Sequence, residues 1–329
     1  SCAPAVSSER RRISEKTGQI AVDIAINKRR PSSILTAKSF ENALMVLLAI
    51  GGSTNALIHL AAIAGRMGIK LDMESFDAIS RTIPVIVDLK PSGEGYMEDL
   101  YKAGGLPRIL LELKDKLNLD VSTVTGKTLR QTIEETEFSW QQNIVKSAAD
   151  PIYREGGMAV LKGNLAPNTA IIKQSAATDS LLKHSGRAVV FDGLEDLANR
   201  IDSEELDVNK EDILVLRYIG PKGAPGMPEA GLIPIPKKLA RQGVKDMVRI
   251  SDGRMSGTAS GTIILHVCPE AADGGPLALV QTGDRISLNV NSRSLHLHVE
   301  DSELNSRRET LDLTGFISKR GYHKLYMDF

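Results

Sequence analysis

The sequence predicts an α/β chain in two parts, an α/β domain over residues 1–150 and a β-barrel-like domain over residues 151–329. Two observations carry this. A length of 329 residues exceeds what one ordinary core organises. The apolar pattern also changes near Asp150, from helical spacing to short β-branched runs broken by turns.

In the first part, apolar residues recur three to four positions apart over Ser8 to Lys28 (Ile13, Ile20, Ile24) and over Ala37 to Ile50 (Phe40, Leu44, Leu47, Leu48), which predicts core-facing helices. Gly51-Gly52-Ser53-Thr54-Asn55 interrupts the period, and a helix over Ala56 to Met67 follows, with Ser53 and Thr54 placed to cap it. Further helices are expected over Met73 to Arg81, Leu106 to Leu117 and Lys127 to Glu137. The β-branched run Pro84 to Leu89 predicts a buried strand.

After Gly156-Gly157 come eight strand patterns: Met158 to Lys162, Ala170 to Lys173, Arg187 to Phe191, Ile213 to Tyr218, Met247 to Ile250, Thr262 to Val267, Arg285 to Val290 and Ser294 to Val299. The last two are joined across Asn291-Ser292-Arg293 as a hairpin. With a single helix over Leu194 to Arg200, they predict a closed or nearly closed barrel.

Composition narrows the function. With 41 basic and 41 acidic residues, the chain lacks the net charge expected of a nucleic-acid or anionic-membrane binder. The basic clusters Arg10-Arg11-Arg12 and Lys28-Arg29-Arg30 read as solvated helix ends. The longest apolar run, Ala43 to Ile50, is far short of the ~20 residues that span a bilayer. Two cysteines, Cys2 and Cys268, encode neither a disulfide framework nor a zinc site, and a reducing compartment is expected. The cytoplasm is the expected location, with mitochondria as the alternative. Cys268 reads as a small buried hydrophobe.

Three loops could carry chemistry. Gly220 to Gly231 contains four glycines and three prolines, a composition that suits a rigid loop delivering the carboxylate of Glu229, a hard-cation ligand of the type Mg²⁺ prefers. Asp252-Gly253-Arg254-Met255-Ser256-Gly257-Thr258 leaves one strand and enters the next, with glycines on either side of Ser256 exposing its hydroxyl. No histidine has a local signature linking it to Ser256, and the loop alone reads as structural or catalytic. Gly51 to Asn55 offers free N–H groups at a helix N-terminus, which suit an anion or an ordinary cap equally. Gly126-Lys127-Thr128 lacks the first glycine of a phosphate loop, Val121 standing there. His296 and His298 share a strand face and read as an exposed hairpin rather than a metal site.

In this order the loops resemble the dihydroxy-acid and sugar-acid (aldonate) dehydratases. The similarity extends to Pro31 to Thr36, Lys90-Pro91-Ser92-Gly93, Thr123 to Thr128 and Gly163-Asn164-Leu165-Ala166-Pro167, nearly the whole chain. The resemblance implies an incomplete α/β N-terminal domain followed by a swivelling β-barrel. The implied reaction converts a 2,3-dihydroxy acid into a 2-oxo acid with Mg²⁺ and a 2Fe-2S cluster. Ser256 would be the base at C2, Glu229 a magnesium ligand, and Gly257, Thr258, Ser53 and Thr54 substrate-binding residues. Gly-Met-Pro-Glu and Arg-Met-Ser-Gly-Thr look like the aldonate branch, the alternatives being the dihydroxy-acid dehydratase of branched-chain amino-acid synthesis and a shortened non-catalytic homologue. The cluster cysteines of the family are expected before Ser1, so the chain reads as a C-terminal portion lacking the cluster-binding region, inactive alone, with Cys2 a passenger. The apolar helices imply a homodimer or homotetramer.

Overall fold

The computed structural model describes residues 3–257 and 259–327, so Cys2 and Thr258 lie outside the described residues. The chain divides into two compact units, one made of Ser1–Gly52 and Ala56–Gly157, the other of Ser53–Asn55 and Met158–Phe329.

Helices dominate the first unit: α1 (Ser8–Ile26), α2 (Pro31–Ile34), α3 (Ala37–Ala49), α4 (Thr54–Arg66), α5 (Met73–Ser80), α6 (Met97–Lys102), α7 (Gly105–Glu112) and α8 (Leu129–Glu134). Their starts follow from polar caps. Thr36 and Ser39 satisfy each other's backbone N–H groups at the head of α3, Asp72 accepts from Ser75 at α5, and Thr128 and Gln131 form a capping box at α8. Thr128 is therefore a helix cap, in keeping with the absence of a phosphate-loop pattern around Lys127. Phe40, Leu44, Leu48, Phe76, Ile109 and Leu113 form the buried interior.

Two expectations fail here. No residue of α1 is buried, and Ile26 is 73% exposed, because the stripe of Ile13, Ile20 and Ile24 is too narrow to be buried within the unit. The run from Pro84 to Leu89 is buried at Val85, Ile86 and Val87 but forms no ladder. Its alternate residues make single bridges to three different places, Tyr153, Val145 and Gly95, so no one partner extends the pairing.

The second unit is a closed eight-stranded barrel in the order β1-β2-β6-β5-β4-β3-β7-β8. The strands are β1 (Ala159–Gly163), β2 (Ala166–Ile172), β3 (Lys183–Asp192), β4 (Ile213–Arg217), β5 (Arg249–Ser251), β6 (Ile263–Cys268), β7 (Arg285–Asn289) and β8 (Ser294–His298). β3, β4, β5 and β6 run parallel to one another, β3 and β6 being antiparallel to β7 and β2 on their other sides, and β7 and β8 form the hairpin expected from the sequence. Burial follows this arrangement. Ile213 and Val215 of β4 face the barrel interior, while Leu214 and Leu216 face outward under α9 (Gly193–Arg200) and α10 (Lys237–Arg241), whose Leu197 and Leu239 join the same outer cluster. A strand buried on both faces reads as a continuous apolar run, as Ile213 to Leu216 does. β8, with water on one side, alternates instead: Leu295 and Leu297 are buried, and His296 and His298 are exposed. The single helix expected in this half is joined by α10, α11 (Asp301–Glu309) and α12 (Gly321–Met327), which are too short or too polar for an apolar period to reveal.

β6 carries an irregularity the sequence does not announce. Thr169 pairs with Cys268 and Ile171 with Leu265, so His266 and Val267 oppose Ala170 alone, and His266 has a φ of 55°. The bulge shifts the alternation by one residue. Val267 therefore points into the barrel and Cys268 becomes exposed, contrary to its expected burial.

The barrel closes where β1 meets β8, through one paired position, Lys162 with Ser294. Asn164 reinforces this seam: its amide nitrogen donates to the Leu297 carbonyl at 2.8 Å and its amide oxygen accepts from the Leu297 N–H at 2.7 Å. A side chain here makes both hydrogen bonds of a strand partner. Asn164→Ala should destabilise the chain by about 1–3 kcal/mol through the two backbone groups left unpaired, read from urea unfolding. Among the described residues no helix is long and apolar enough to cross a membrane.

Candidate active site

The site grows from two loops at the ends of the neighbouring parallel strands β4 and β5. The chain leaving β5 must return along the barrel to start β6 in parallel, and this crossover is the segment that holds Ser256. Its first residue, Asp252, is buried and accepts hydrogen bonds from Tyr218 N at 3.1 Å, Ile219 N at 3.1 Å and Ala271 N at 2.9 Å. Burial raises its pKa, against the opposing pull of these N–H groups. Glu270 does similar work on the other loop, accepting from Lys222 N at 2.8 Å and Gly223 N at 2.9 Å, and burial raises its pKa too.

The two loops are then knit together. Ala230 N donates to Arg254 O at 3.0 Å, Ser256 N to Gly231 O at 3.2 Å, and Arg254 Nε to Met227 O at 2.6 Å. Asn55 joins both: its amide nitrogen donates to Glu229 Oε1 at 2.6 Å and to Met255 O at 2.9 Å. Residues 174 and 200 positions away in sequence thus meet on one side chain.

Ser53, Thr54, Ser256 and Gly257 line one small cavity together with Lys173. A Cβ on Gly257 would lie 2.9 Å from Ser53 Oγ, so glycine allows the loop to approach this closely. Five of the six residues singled out from sequence therefore have a described place. Four share the cavity, Glu229 stands on the adjoining loop, and Thr258 is the one not described. Sequence reading passed over Asn55 and Lys173. Asn55 closes the Gly-Gly-Ser-Thr-Asn motif, and Lys173 ends the apolar run Ala170-Ile171-Ile172, a signal for a charged group brought to a strand end.

His266, at the bulge, has both ring nitrogens buried without a hydrogen-bond partner. Burial, with a smaller contribution from the Arg254 charge, holds its pKa down at about 4. As pH falls from 6.5 towards 4, the unfolded chain takes up a proton that the folded one refuses, so stability declines across that window. His266→Gln should show a smaller fall in melting temperature between pH 7 and pH 4.5 than the parent chain.

Oxygen donors suited to a hard cation are present. The Glu229 carboxylate is exposed beside Asn55, whose amide oxygen is buried and unpaired, so a carboxylate and an amide carbonyl stand together. These residues fit part of a Mg²⁺ site. Among the described residues no comparable ligand set for an iron-sulfur cluster is found. The one described cysteine is the exposed Cys268, and no group of three His, Cys, Asp or Glu among the described residues could hold a metal.

The N-terminal model of the dihydroxy-acid/6-phosphogluconate dehydratases matches residues 1–132, and the C-terminal model matches residues 143–329. The chain belongs to this family. It is 47% identical to an L-arabonate dehydratase of Azospirillum brasilense over 99% of this chain and 57% of that protein. It is 45% identical to a 6-deoxy-6-sulfo-D-gluconate dehydratase of Pseudomonas putida, over 93% of this chain and 53% of that protein. A dihydroxy-acid dehydratase of Methanococcoides burtonii is 40% identical over 98% of this chain and 59% of its own length. The chain thus spans a little over half the length of these family members. The match to the N-terminal model over residues 1–132 does not bear out the expectation of a C-terminal portion lacking the cluster-binding N-terminal region.

Proposed function

We propose that the chain serves a hydro-lyase that dehydrates a sugar acid of the aldonate type to a 2-keto-3-deoxy acid, with Ser256 as the base at C2. The observation that carries this is Asn55 holding the Glu229 loop and the Ser256 loop together, which sets an oxygen donor for a cation next to a glycine-flanked hydroxyl. Ser256 removes the C2 proton, the C3 hydroxyl departs, and the enol tautomerises to the 2-oxo acid. Mg²⁺ held by Glu229 would supply positive charge against the enolate that this proton loss creates. Ser53, Thr54, Gly257 and Thr258 bind the substrate hydroxyls and carboxylate. The aldonate branch is favoured by the relatives: sugar-acid dehydratases match at 45–47% identity and dihydroxy-acid dehydratases at 39–42%.

The test is turnover of L-arabinonate against 2,3-dihydroxyisovalerate by the full-length protein loaded anaerobically with iron, sulfide and Mg²⁺, following 2-oxo acid formation. Faster reaction of the aldonate supports the proposal. Preference for dihydroxyisovalerate would move the assignment to branched-chain amino-acid synthesis, and no product from either would favour a non-catalytic homologue. A homodimer or homotetramer in the cytoplasm completes this reading. Self-association is supported by an open apolar groove in the first unit lined by Val46, Leu47, Ile50, Leu60, Leu106 and Leu110.

A further inference from the structure

Lys173 follows directly on β2 and is partly buried. Among the described residues no carboxylate pairs with its amine. It lines a cavity of about 20 Å³ together with Ser256, Gly257, Ser53 and Thr54 and with Ile263 and Leu265 of β6. A space of that size holds about one water molecule, so a single water between lining groups is the bridge it can admit. Lys173 is the one acid or base among its described lining residues. Behind Gly261, Arg249 and Asp246 are paired with each other at 2.6 Å, leaving no net charge there to hold an ammonium.

We propose that Lys173 is the proton partner of Ser256: its neutral amine accepts the serine hydroxyl proton, directly or through the single water the cavity admits. The serine O–H bond breaks, a third N–H bond forms to complete the ammonium, and the pair keeps the same total charge. In the dehydration proposed above, the alkoxide then takes the C2 proton and becomes a hydroxyl again. The departing hydroxide takes the extra proton from the ammonium and leaves as water, which returns the amine. Lys173 thus acts both on Ser256 and on the departing hydroxyl, and is a catalytic residue of the proposed reaction. A lysine can serve this way only where its charged form is disfavoured, and burial holds the Lys173 ammonium down to about 8, close to working pH. Serine paired with lysine is an established substitute for serine paired with histidine, which accounts for a loop serine without a histidine base.

The pairing is a property of the resting protein, whereas its use in turnover rests on the dehydratase reading, so two measurements separate them. In the first, lysines of the intact chain are acetylated with trace acetic anhydride from pH 6 to pH 11 and each site is quantified by peptide mass spectrometry. Lys173 is expected to titrate near pH 8, apart from the chain's other lysines, and Ser256→Ala is expected to lower its midpoint by removing the hydroxyl that solvates the ammonium. Titration together with the other lysines, or a midpoint unmoved by Ser256→Ala, would overturn the pairing. In the second, the full-length protein carries Lys173→Met or Lys173→Arg. Both should lose about 100-fold or more in kcat, with KM little changed and methylamine restoring part of the Met variant's rate. Arginine keeps the charge and cannot give up its proton, so wild-type turnover by the Arg variant would reduce Lys173 to a structural cation. The expected titration with no dehydration of any acid would leave the pairing standing and remove the dehydratase reading.

Discussion

Asp252→Ala is expected to destabilise the barrel unit by about 3–5 kcal/mol, because it strips acceptors from three backbone N–H groups at once. Those of Ile219 and Ala271 are buried, and that of Tyr218 is partly so. Urea unfolding of the parent and variant chains measures this directly. Asp252→Asn keeps the shape and one acceptor oxygen, and should fall between the two. The effect should reach beyond stability. Asp252 ties the end of β4, the start of the Ser256 loop and the segment after β6 to one carboxylate, so its loss loosens both functional loops together. A shift in unfolding midpoint equivalent to less than about 1 kcal/mol would mean that water replaces these bonds without difficulty.

The second large effect is on chemistry. Ser256→Ala in the full-length protein should reduce turnover by about 10³-fold or more, since it removes the group proposed to take the C2 proton. The melting temperature should change little. The backbone N–H of residue 256 keeps its bond to the Gly231 carbonyl whatever the side chain, and a loop hydroxyl contributes within about 0.5 kcal/mol. Equal loss of activity and of folded protein would instead mark Ser256 as structural.

How much of this was legible in the sequence depends on whether the deciding interactions are local. Ile213 to Leu216 announces a strand buried on both faces, and the alternation of Leu295 and Leu297 with His296 and His298 announces one wet face, because strand period is a local property. Eight such signals were enough for a barrel. The strand order was not, since pairing β6 between β2 and β5 depends on contacts that no window of residues contains. Cys268 was misplaced for a related reason: a single left-handed residue, His266, reversed the alternation behind it, and one histidine within an apolar strand pattern is too weak a signal to place a bulge. Pro84 to Leu89 has the composition of a strand but lacks a continuous partner. In the site, glycine and proline spacing exposed the loops that carry Glu229 and Ser256, while Asn55 and Lys173 emerged only once residues far apart in the chain were brought to one place.

The seam held by Asn164 bears on how the barrel is made. Its two halves, Asn164 and Leu297, lie 133 residues apart. On a ribosome the β1–β2 hairpin emerges long before the strand that covers its open edge, and for that interval it presents unpaired backbone to any other nascent chain. Closure is therefore a late, non-local event, and the crowded step of synthesis rather than the finished fold is where this architecture is most exposed to aggregation.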